Sequence, residues 1–228
     1  MSLIVQKYGG TSVGSVARIH AVAEQIAKLA GGGHQVAVVV SAMGDTTDRL
    51  VELAREVCPE PDARELDALL ATGEMISTAL LAMALRRLGR QARSYNAMQL
   101  PIETTSHPGR ARIARIDARV LKTDIASGIT PIVAGFQGRA ANGDLTTIGR
   151  GGSDTTAVAL AVVLEAEECQ ILTDVDGVYT TDPRMVPEAR RLPRISFEEM
   201  LELAGQGSRV LHLRCVEFAA RYGMKLRV

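Results

Sequence analysis

The chain has 228 residues, of which 46% are hydrophobic and 23% are charged, the proportions of an ordinary soluble globular protein. Its 26 Lys and Arg residues balance its 26 Asp and Glu residues, and only 3% of the residues are aromatic. Binding to nucleic acids relies on clustered positive charge and, for single strands, on aromatic stacking. The composition therefore argues against a nucleic-acid partner.

The cysteines and the apolar runs indicate the compartment. Cys58, Cys169 and Cys215 are odd in number, far apart and without a C-x-x-C pair, so no disulfide framework is predicted. The N-terminus lacks a basic-then-apolar signal pattern, and runs such as VAVVV are far too short to span a membrane. We expect a soluble protein of a reducing cytoplasm, with no membrane partner.

Strands and helices alternate in the first half of the chain. The segments LIVQKY and QVAVVVS predict buried strands, and the second is continuously apolar, as in a parallel sheet covered on both faces. Between them, apolar residues at helical spacing predict a helix that the glycines at 31–33 end. AMGDTTDRLVELAREVC predicts a loop and a helix, residues 61–89 predict two helices broken near ATGE, and QARSYNA predicts a strand.

The second half continues the alternation. Residues 101–117 fit either a hairpin or a flap, ARVLKTDIASG predicts a helix, and ITPIVAGFQG a strand and a turn. AANGDLTT carries the Asn-Gly pair typical of a hairpin, SDTTAVALAVVLEA predicts a buried helix, and CQILTDV a strand. Two helices and a strand, MKLRV, follow. We predict an α/β sandwich with a mainly parallel sheet, whose ligands lie at the carboxyl ends of the strands.

The segment KYGGTSVGS, from Lys7 to Ser15, follows the first predicted strand. In the usual P-loop a lysine closes the glycine run, whereas here it comes first. The glycines either allow a tight turn or let main-chain N–H groups approach a phosphate at the start of a helix. With a lysine and two hydroxyls beside them, we favour phosphate binding.

Two further loops carry candidate ligand groups. TTIGRGGSDTT precedes the buried helix, where Ser153 or Asp154 is a candidate N-cap and Arg150 offers a guanidinium that can fork onto a carboxylate. TDVDGVYTTDPR is either a strand end with an Asp-Gly turn or a nucleotide-side loop. It is not an EF-hand, because Leu172 and Pro183 stand where acidic ligands are required.

Glu74, in ATGEMIS, lies within an apolar helical stretch. A buried carboxylate is unfavourable unless it is paired, so Glu74 is either a satisfied structural group or the partner of a substrate ammonium. SAMGDTTD, after the second strand, adds hydroxyls and a glycine but alone predicts only a loop. The four histidines show no metal-ligand spacing, and no zinc site or hydrolase triad is predicted.

The motifs KYGGTSVGS, VVVSAMGDTTD, ATGE, GFQG, LTTIGRGGSDTTA and LTDVDGVYTTDPR, in this order, resemble the amino acid kinase family, and within it the catalytic domain of bacterial aspartate kinases. The resemblance runs from Lys7 to about Val228 and implies a three-layer α/β/α sandwich as a single catalytic domain over residues 1–228. It further implies ATP and Mg²⁺ as cofactors, and phosphorylation of the side-chain carboxylate of L-aspartate. That reaction opens the pathway to lysine, threonine and methionine.

The resemblance assigns roles residue by residue. Lys7 and Asp154 would be catalytic. Residues that would bind the nucleotide are Lys7, Tyr8, Gly9, Gly10, Ser12, Ser41, Thr173, Asp174, Tyr179, Thr180, Asp182, Arg184 and Arg209. Residues that would bind aspartate are Thr47, Glu74, Arg150, Gly151, Gly152, Ser153 and Asp154. No residue is assigned as a metal ligand, and a homo-oligomer is expected.

The C-terminal part departs from the family pattern. SRVLHLR stands where relatives read like AKVLHPR, so Arg209 replaces a lysine and Leu213 a proline. The chain also stops at KLRV, where relatives continue into paired ACT regulatory domains, which we therefore expect to be absent. Two alternatives remain open: a family member with a different acid or nucleotide substrate, and a non-catalytic domain that binds nucleotide or amino acid.

Overall fold

Residues 2–208 and 210–228 are described by the computed structural model, and in them strands and helices alternate along the chain. The strands are β1 (Leu3–Tyr8), β2 (Gln35–Val40), β3 (Ala92–Tyr95), β4 (Ile102–Thr104), β5 (Ile113–Ile116), β6 (Thr130–Ala134), β7 (Gln137–Ala140), β8 (Leu145–Thr147), β9 (Glu168–Leu172) and β10 (Leu226–Arg227). The helices are α1 (Val16–Gly31), α2 (Thr46–Val57), α3 (Ala63–Arg87), α4 (Arg119–Ala126), α5 (Gly152–Val163), α6 (Phe197–Gly205) and α7 (Leu213–Tyr222), with a short 3-10 helix at Gly10–Val13.

The main sheet has six parallel strands in the order β10–β9–β1–β2–β6–β3. Successive residues of its strands point to opposite faces, which explains why strands covered on both faces are continuously apolar. In β2, Val36 and Val38 pack with α1 and α3 on one face, whereas Val39 packs with α4 and α5 on the other. The predicted α/β/α sandwich with a mainly parallel sheet is confirmed.

A second, smaller sheet has the order β5–β4–β7–β8 and packs against α3. Strands β4 and β5 pair antiparallel, so residues 101–117 form the hairpin that was one of their two expected structures. Strands β7 and β8 form the hairpin that Asn142 and Gly143 predict. Strand β7, predicted only as a turn after β6, is an addition to the expected elements.

Helix α3 corrects the prediction of two helices broken near ATGE, because it runs unbroken for 25 residues. At Gly73 the helix packs closely against the loop after β2. A Cβ atom at this position would lie 2.9 Å from the Cβ of Ala42, in the loop after β2. By length and composition α3 could cross a membrane, with an 18-residue window of mean hydropathy 1.7, but 56% of that window is buried inside the fold, as in a core helix.

Candidate active site

The loops after four adjacent strands of the main sheet are joined by main-chain hydrogen bonds. The Gly9 N–H, after β1, donates to Leu172 at the end of β9, and the Gly135 N–H, after β6, donates to Val40 at the end of β2. The loops after β1 and β2 meet where the Gly44 N–H donates to the Gly10 carbonyl. The carboxyl ends of β9, β1, β2 and β6 therefore form one continuous surface, the expected place for a ligand.

A cavity of about 330 Å³ opens on this surface, within the size range of small-molecule sites. Its lining consists of Lys7, Gly10, Ser41, Ala42, Gly44, Thr47, Glu74, Phe136, Gly149, Arg150, Gly151, Gly152, Ser153 and Asp154. The structure thus brings together residues from five separate motifs of the sequence. Ala42, Gly44, Phe136 and Gly149 are the lining residues that the sequence analysis did not assign.

Lys7 and Asp154 form an ion pair in this cavity. Lys7 Nζ lies 2.7 Å from Asp154 Oδ1, and the two side chains are 11% and 14% exposed. Lys7 comes from β1, and Asp154 lies in the first turn of α5, where a carboxylate also interacts favourably with the helix dipole. The pair holds a cation at the cavity wall, beside the N-terminal end of a helix.

Glu74 is a buried carboxylate that is only half satisfied. Its side chain points from α3 to the loop after β2, where Oε1 accepts the Ala42 N–H at 3.0 Å. Glu74 is 2% exposed, and its other oxygen, Oε2, has no hydrogen-bond partner among the described residues. Burial raises the pKa of Glu74 to about 7, against the opposing effect of the Ala42 hydrogen bond. Such a group is suited to receive a cation.

The raised pKa of Glu74 predicts how stability depends on pH. The folded state keeps the Glu74 proton to about pH 7 whereas the unfolded chain loses it near 4.5, so this residue lowers the free energy of unfolding as pH rises through that window. We expect the difference in unfolding free energy between Glu74→Gln and the unchanged protein to move by about 2 kcal/mol in favour of the variant from pH 5 to pH 8. Urea denaturation without ligands measures it, and a constant difference would contradict the raised pKa.

Arg150 stands in the loop between β8 and α5. Gly149 and Gly151 flank it with φ values of 81° and 72°, a left-handed conformation that favours glycine. The Ile148 N–H donates to Phe136 and the Ile148 carbonyl accepts from the Arg214 guanidinium, which fixes the start of the loop. Arg150 itself is exposed at the cavity.

Phe136 is a lining residue that sequence patterns did not reveal. It follows β6 with a φ of 66°, which is unusual for a residue with a large side chain. Its ring contacts Gly152, where a Cβ atom would lie 3.0 Å from Phe136 Cδ2. Its only signal in the sequence was its place in the GFQG motif, between Gly135 and Gly138. Ala42, Gly44 and Gly149 belong to motifs already singled out, but no role was assigned to them individually.

The predicted nucleotide residues after β9 lie in an exposed loop outside the cavity. This loop begins beside the Lys7 loop, because Leu172 is paired with Tyr8 in the sheet. Its polar groups bond within the loop itself: Thr173 to Asp174, Tyr179 to Asp176, the Arg190 N–H to Thr180, and Arg184 to Asp182. Hydrogen bonds from Arg184 lower the pKa of Asp182 to about 2.

Three other assigned residues also lie outside the cavity lining. The Tyr8 side chain is 1% exposed and packs in the core with its hydroxyl donating to Gln6, and its contact with a nucleotide stays a prediction. Ser12 lies in the 3-10 helix, and Gly9 lies under the Lys7 ammonium. Arg209 lies outside the described residues.

Comparison with known proteins places these features in a family. The sequence profile described as the amino acid kinase family matches residues 2–228. An aspartate kinase of Stutzerimonas stutzeri is 56% identical over 228 residues, which are 100% of this chain and 55% of that protein. The chain therefore spans about half the length of the curated relatives it matches.

Solved structures agree with the sequence match. An aspartate kinase from Synechocystis has a TM-score of 0.88 at 48% identity, covering 99% of this chain and 37% of that chain. Aspartokinase III of E. coli, crystallised with aspartate and ADP, has a TM-score of 0.87 at 30% identity, covering 98% of this chain and 61% of that chain.

Proposed function

Because the chain belongs to the amino acid kinase family, we propose that it transfers the γ-phosphoryl group of ATP to the side-chain carboxylate of L-aspartate, which gives 4-phospho-L-aspartate and ADP. The observation that carries the proposal is the cavity in which an ammonium at Lys7, a half-satisfied carboxylate at Glu74 and a guanidinium at Arg150 converge. The relatives named aspartate kinase or aspartokinase support the choice of acid.

The acceptor end of the cavity carries the groups that an α-amino acid requires. The free Oε2 of Glu74 would receive the ammonium of aspartate, and Arg150 would bind its α-carboxylate with two parallel hydrogen bonds. Thr47 and the stretch Gly151–Asp154 would close the cavity around the side chain of the substrate.

The donor end would hold the phosphates of ATP. Lys7, with the main chain of Gly9 and Gly10 and the hydroxyls of Ser12 and Ser41, would surround them. The loop after β9 begins beside this position and would line the base and ribose through Thr173, Asp174, Tyr179, Thr180, Asp182 and Arg184. Arg209 stays a proposed nucleotide contact on the family resemblance alone.

The reaction needs charge neutralisation more than proton transfer. A carboxylate with an ordinary pKa of about 3.9 is ionised at neutral pH, so it attacks the γ-phosphorus without a general base. An oxygen–phosphorus bond forms to the substrate while the bond to the leaving oxygen of ADP breaks. Two anions must approach each other, and the Lys7 ammonium with nearby main-chain donors offsets their repulsion and the charge of the transferring group.

Mg²⁺ fits this site as an ion that arrives with ATP. Within residues 2–208 and 210–228, no cluster of three His, Cys, Asp or Glu side chains would hold a cation alone. Asp154, the cavity carboxylate paired with Lys7, would help to hold such an ion. Mg²⁺ prefers phosphate oxygens, water and one or two carboxylates, and when bound it neutralises charge on the phosphates.

A hydroxamate assay tests the proposal, because hydroxylamine traps an acyl phosphate. With ATP and Mg²⁺, we expect product from L-aspartate at a rate at least tenfold above that from L-glutamate, N-acetyl-L-glutamate or UMP as acceptor. UMP phosphorylation is followed as ADP release. A preference for another acceptor would establish a different kinase of the same family. No turnover in the complete natural chain, with ATP or aspartate still bound, would indicate a non-catalytic binding domain.

We also propose a cytoplasmic location and a homo-oligomeric state. Three free cysteines, Cys58, Cys169 and Cys215, suit a reducing compartment. Exposed apolar side chains on α1 and α3, such as Val16 at 63% and Met83 at 64%, are compatible with self-association. The product would feed the synthesis of lysine, threonine and methionine.

A further inference from the structure

We infer that Asp67 is a positioning residue of the acceptor site, whose carboxylate fixes the loop that carries Arg150. This inference rests on the proposed function, since it assumes that Arg150 binds the amino acid. Asp67 does not line the cavity and would touch neither substrate.

Asp67 is a buried carboxylate held by hydrogen bonds from its surroundings. It is 1% exposed on α3. The Gly109 N–H donates to both carboxylate oxygens, at 3.1 and 2.9 Å, and the Thr147 N–H donates to Oδ2 at 2.8 Å. The Thr147 hydroxyl donates to Oδ1 at 2.7 Å. No Lys, Arg or His within the described residues forms an ion pair with it, so main-chain and hydroxyl donors offset its desolvation.

These partners contact the Arg150 loop at its start, where β8 ends, and at Gly149, the residue before Arg150. Thr147 is the last residue of β8 and lies three positions before Arg150. Gly109 packs directly on the residue before Arg150: a Cβ atom at Gly149 would lie 2.8 Å from the Gly109 carbonyl oxygen. Asp67 therefore fixes both the strand that leads into the loop and the turn that supports it.

Asp67 and Glu74 lie on one face of α3. They are seven residues apart, which is about 10 Å along a helix and nearly a whole number of turns. Both are buried, but Asp67 has donors on both oxygens whereas Glu74 has one oxygen free. The same helix thus holds the group that would receive the ammonium of the substrate and the group that positions its carboxylate-binding partner. The distance between Glu74 and Arg150 therefore depends on the position of α3.

Asp67→Ala in the complete natural chain tests the inference. The variant leaves two N–H groups and one hydroxyl without their acceptor, so the Arg150 loop loses its support. We expect the KM for aspartate to rise at least tenfold, while the KM for ATP changes less than twofold. Asp67→Asn keeps the shape and can still accept the two N–H bonds while its amide donates to the Thr147 hydroxyl, so its KM for aspartate should stay within threefold of the original.

Asp124→Ala is the matched control. Asp124 is 3% exposed and accepts hydrogen bonds from Tyr95 and Arg93, outside the cavity. The Asp124→Ala variant should have a lower free energy of unfolding, but the ratio of its KM for aspartate to its KM for ATP should not change. Equal changes in both KM values in Asp67→Ala, an unchanged KM for aspartate, or the same split in the control would overturn the inference. If Asp67→Ala does not fold, Thr147→Val, which removes one of the four bonds, should still raise only the KM for aspartate, about threefold.

Hydrogen exchange separates this inference from the proposed function. Amides of residues 147–152 should exchange at least tenfold faster in Asp67→Ala, or in Thr147→Val if the alanine variant does not fold, but not in Asp124→Ala. Unchanged exchange refutes the positioning role even where aspartate is a substrate. Faster exchange in a protein whose unchanged form does not phosphorylate aspartate keeps the positioning role and refutes the proposed substrate.

Discussion

Replacing Lys7 by alanine should lower the rate of phosphoryl transfer by about 10³-fold or more, because a fixed cation at the transferring group acts mainly on the transition state. The KM for aspartate should change little, since the groups proposed to bind it, Glu74 and Arg150, lie on α3 and in the loop before α5. Single-turnover measurement of ADP release gives the rate directly. A rate within tenfold of the unchanged protein would remove Lys7 from the proposed role.

Because Lys7 forms an ion pair with Asp154, the Lys7→Ala experiment needs a control for the loss of that pair. Without Lys7, the carboxylate of Asp154 stays in a site where it is only 14% exposed, so Lys7→Ala should also lose roughly 1–3 kcal/mol of stability. The double variant Lys7→Ala, Asp154→Asn removes the stranded charge and should recover most of that stability but none of the activity. Recovery of activity in the double variant would show that the single variant failed through misfolding.

Replacing Glu74 by glutamine should raise the KM for aspartate by about 10²-fold and leave the KM for ATP within twofold, because an amide cannot neutralise an ammonium at a position that is 2% exposed. Glutamine keeps the oxygen that accepts the Ala42 N–H, so the substitution is milder on the fold than alanine. Glu74→Ala should show the same split with a larger loss of stability. Equal effects on both KM values would assign Glu74 a structural role.

The pH dependence of the same variant gives an independent test. Only ionised Glu74 pairs with an ammonium, and its pKa of about 7 means that the ionised fraction rises about tenfold from pH 6 to pH 8. The kcat/KM for aspartate should therefore rise by about the same factor in the unchanged protein. In Glu74→Gln this rise should disappear. A rise that persists in the variant would come from another titrating group.

The sequence predicted the layers of the fold well because buried parallel strands and amphipathic helices have distinct patterns. It missed features that depend on distant contacts. Gly73 resembles a helix breaker, but a helix interior tolerates one glycine, and its close packing on Ala42 explains why a glycine stands there. Strand β7 has no strand-like pattern; it is fixed by Gln137, which accepts the Ala97 N–H and donates to the Ala71 carbonyl.

In the candidate site too, the sequence predicted features that have a local pattern and missed those that depend on distant contacts. Glycines, hydroxyls and charged residues at strand ends identified the loops that form the cavity. The pairing of Lys7 with Asp154 was not predictable from spacing, because the two residues meet only through the β1–α5 contact. Phe136 was missed because a left-handed conformation leaves no mark on the residue type. The exact state of Glu74 likewise depends on burial, which the sequence indicated but did not decide.

The contact between Gly73 and Ala42 has a consequence for redesign. Helix α3 bears Glu74 and lies so close to the loop after β2 that a Cβ atom at Gly73 would be 2.9 Å from the Cβ of Ala42. A methyl group at position 73 would therefore require the helix or the loop to shift, and a shift of the helix would change the contact between Glu74 and the Ala42 N–H. Where Glu74 receives the substrate as proposed, the acceptor site would thus depend on a residue that does not line the cavity.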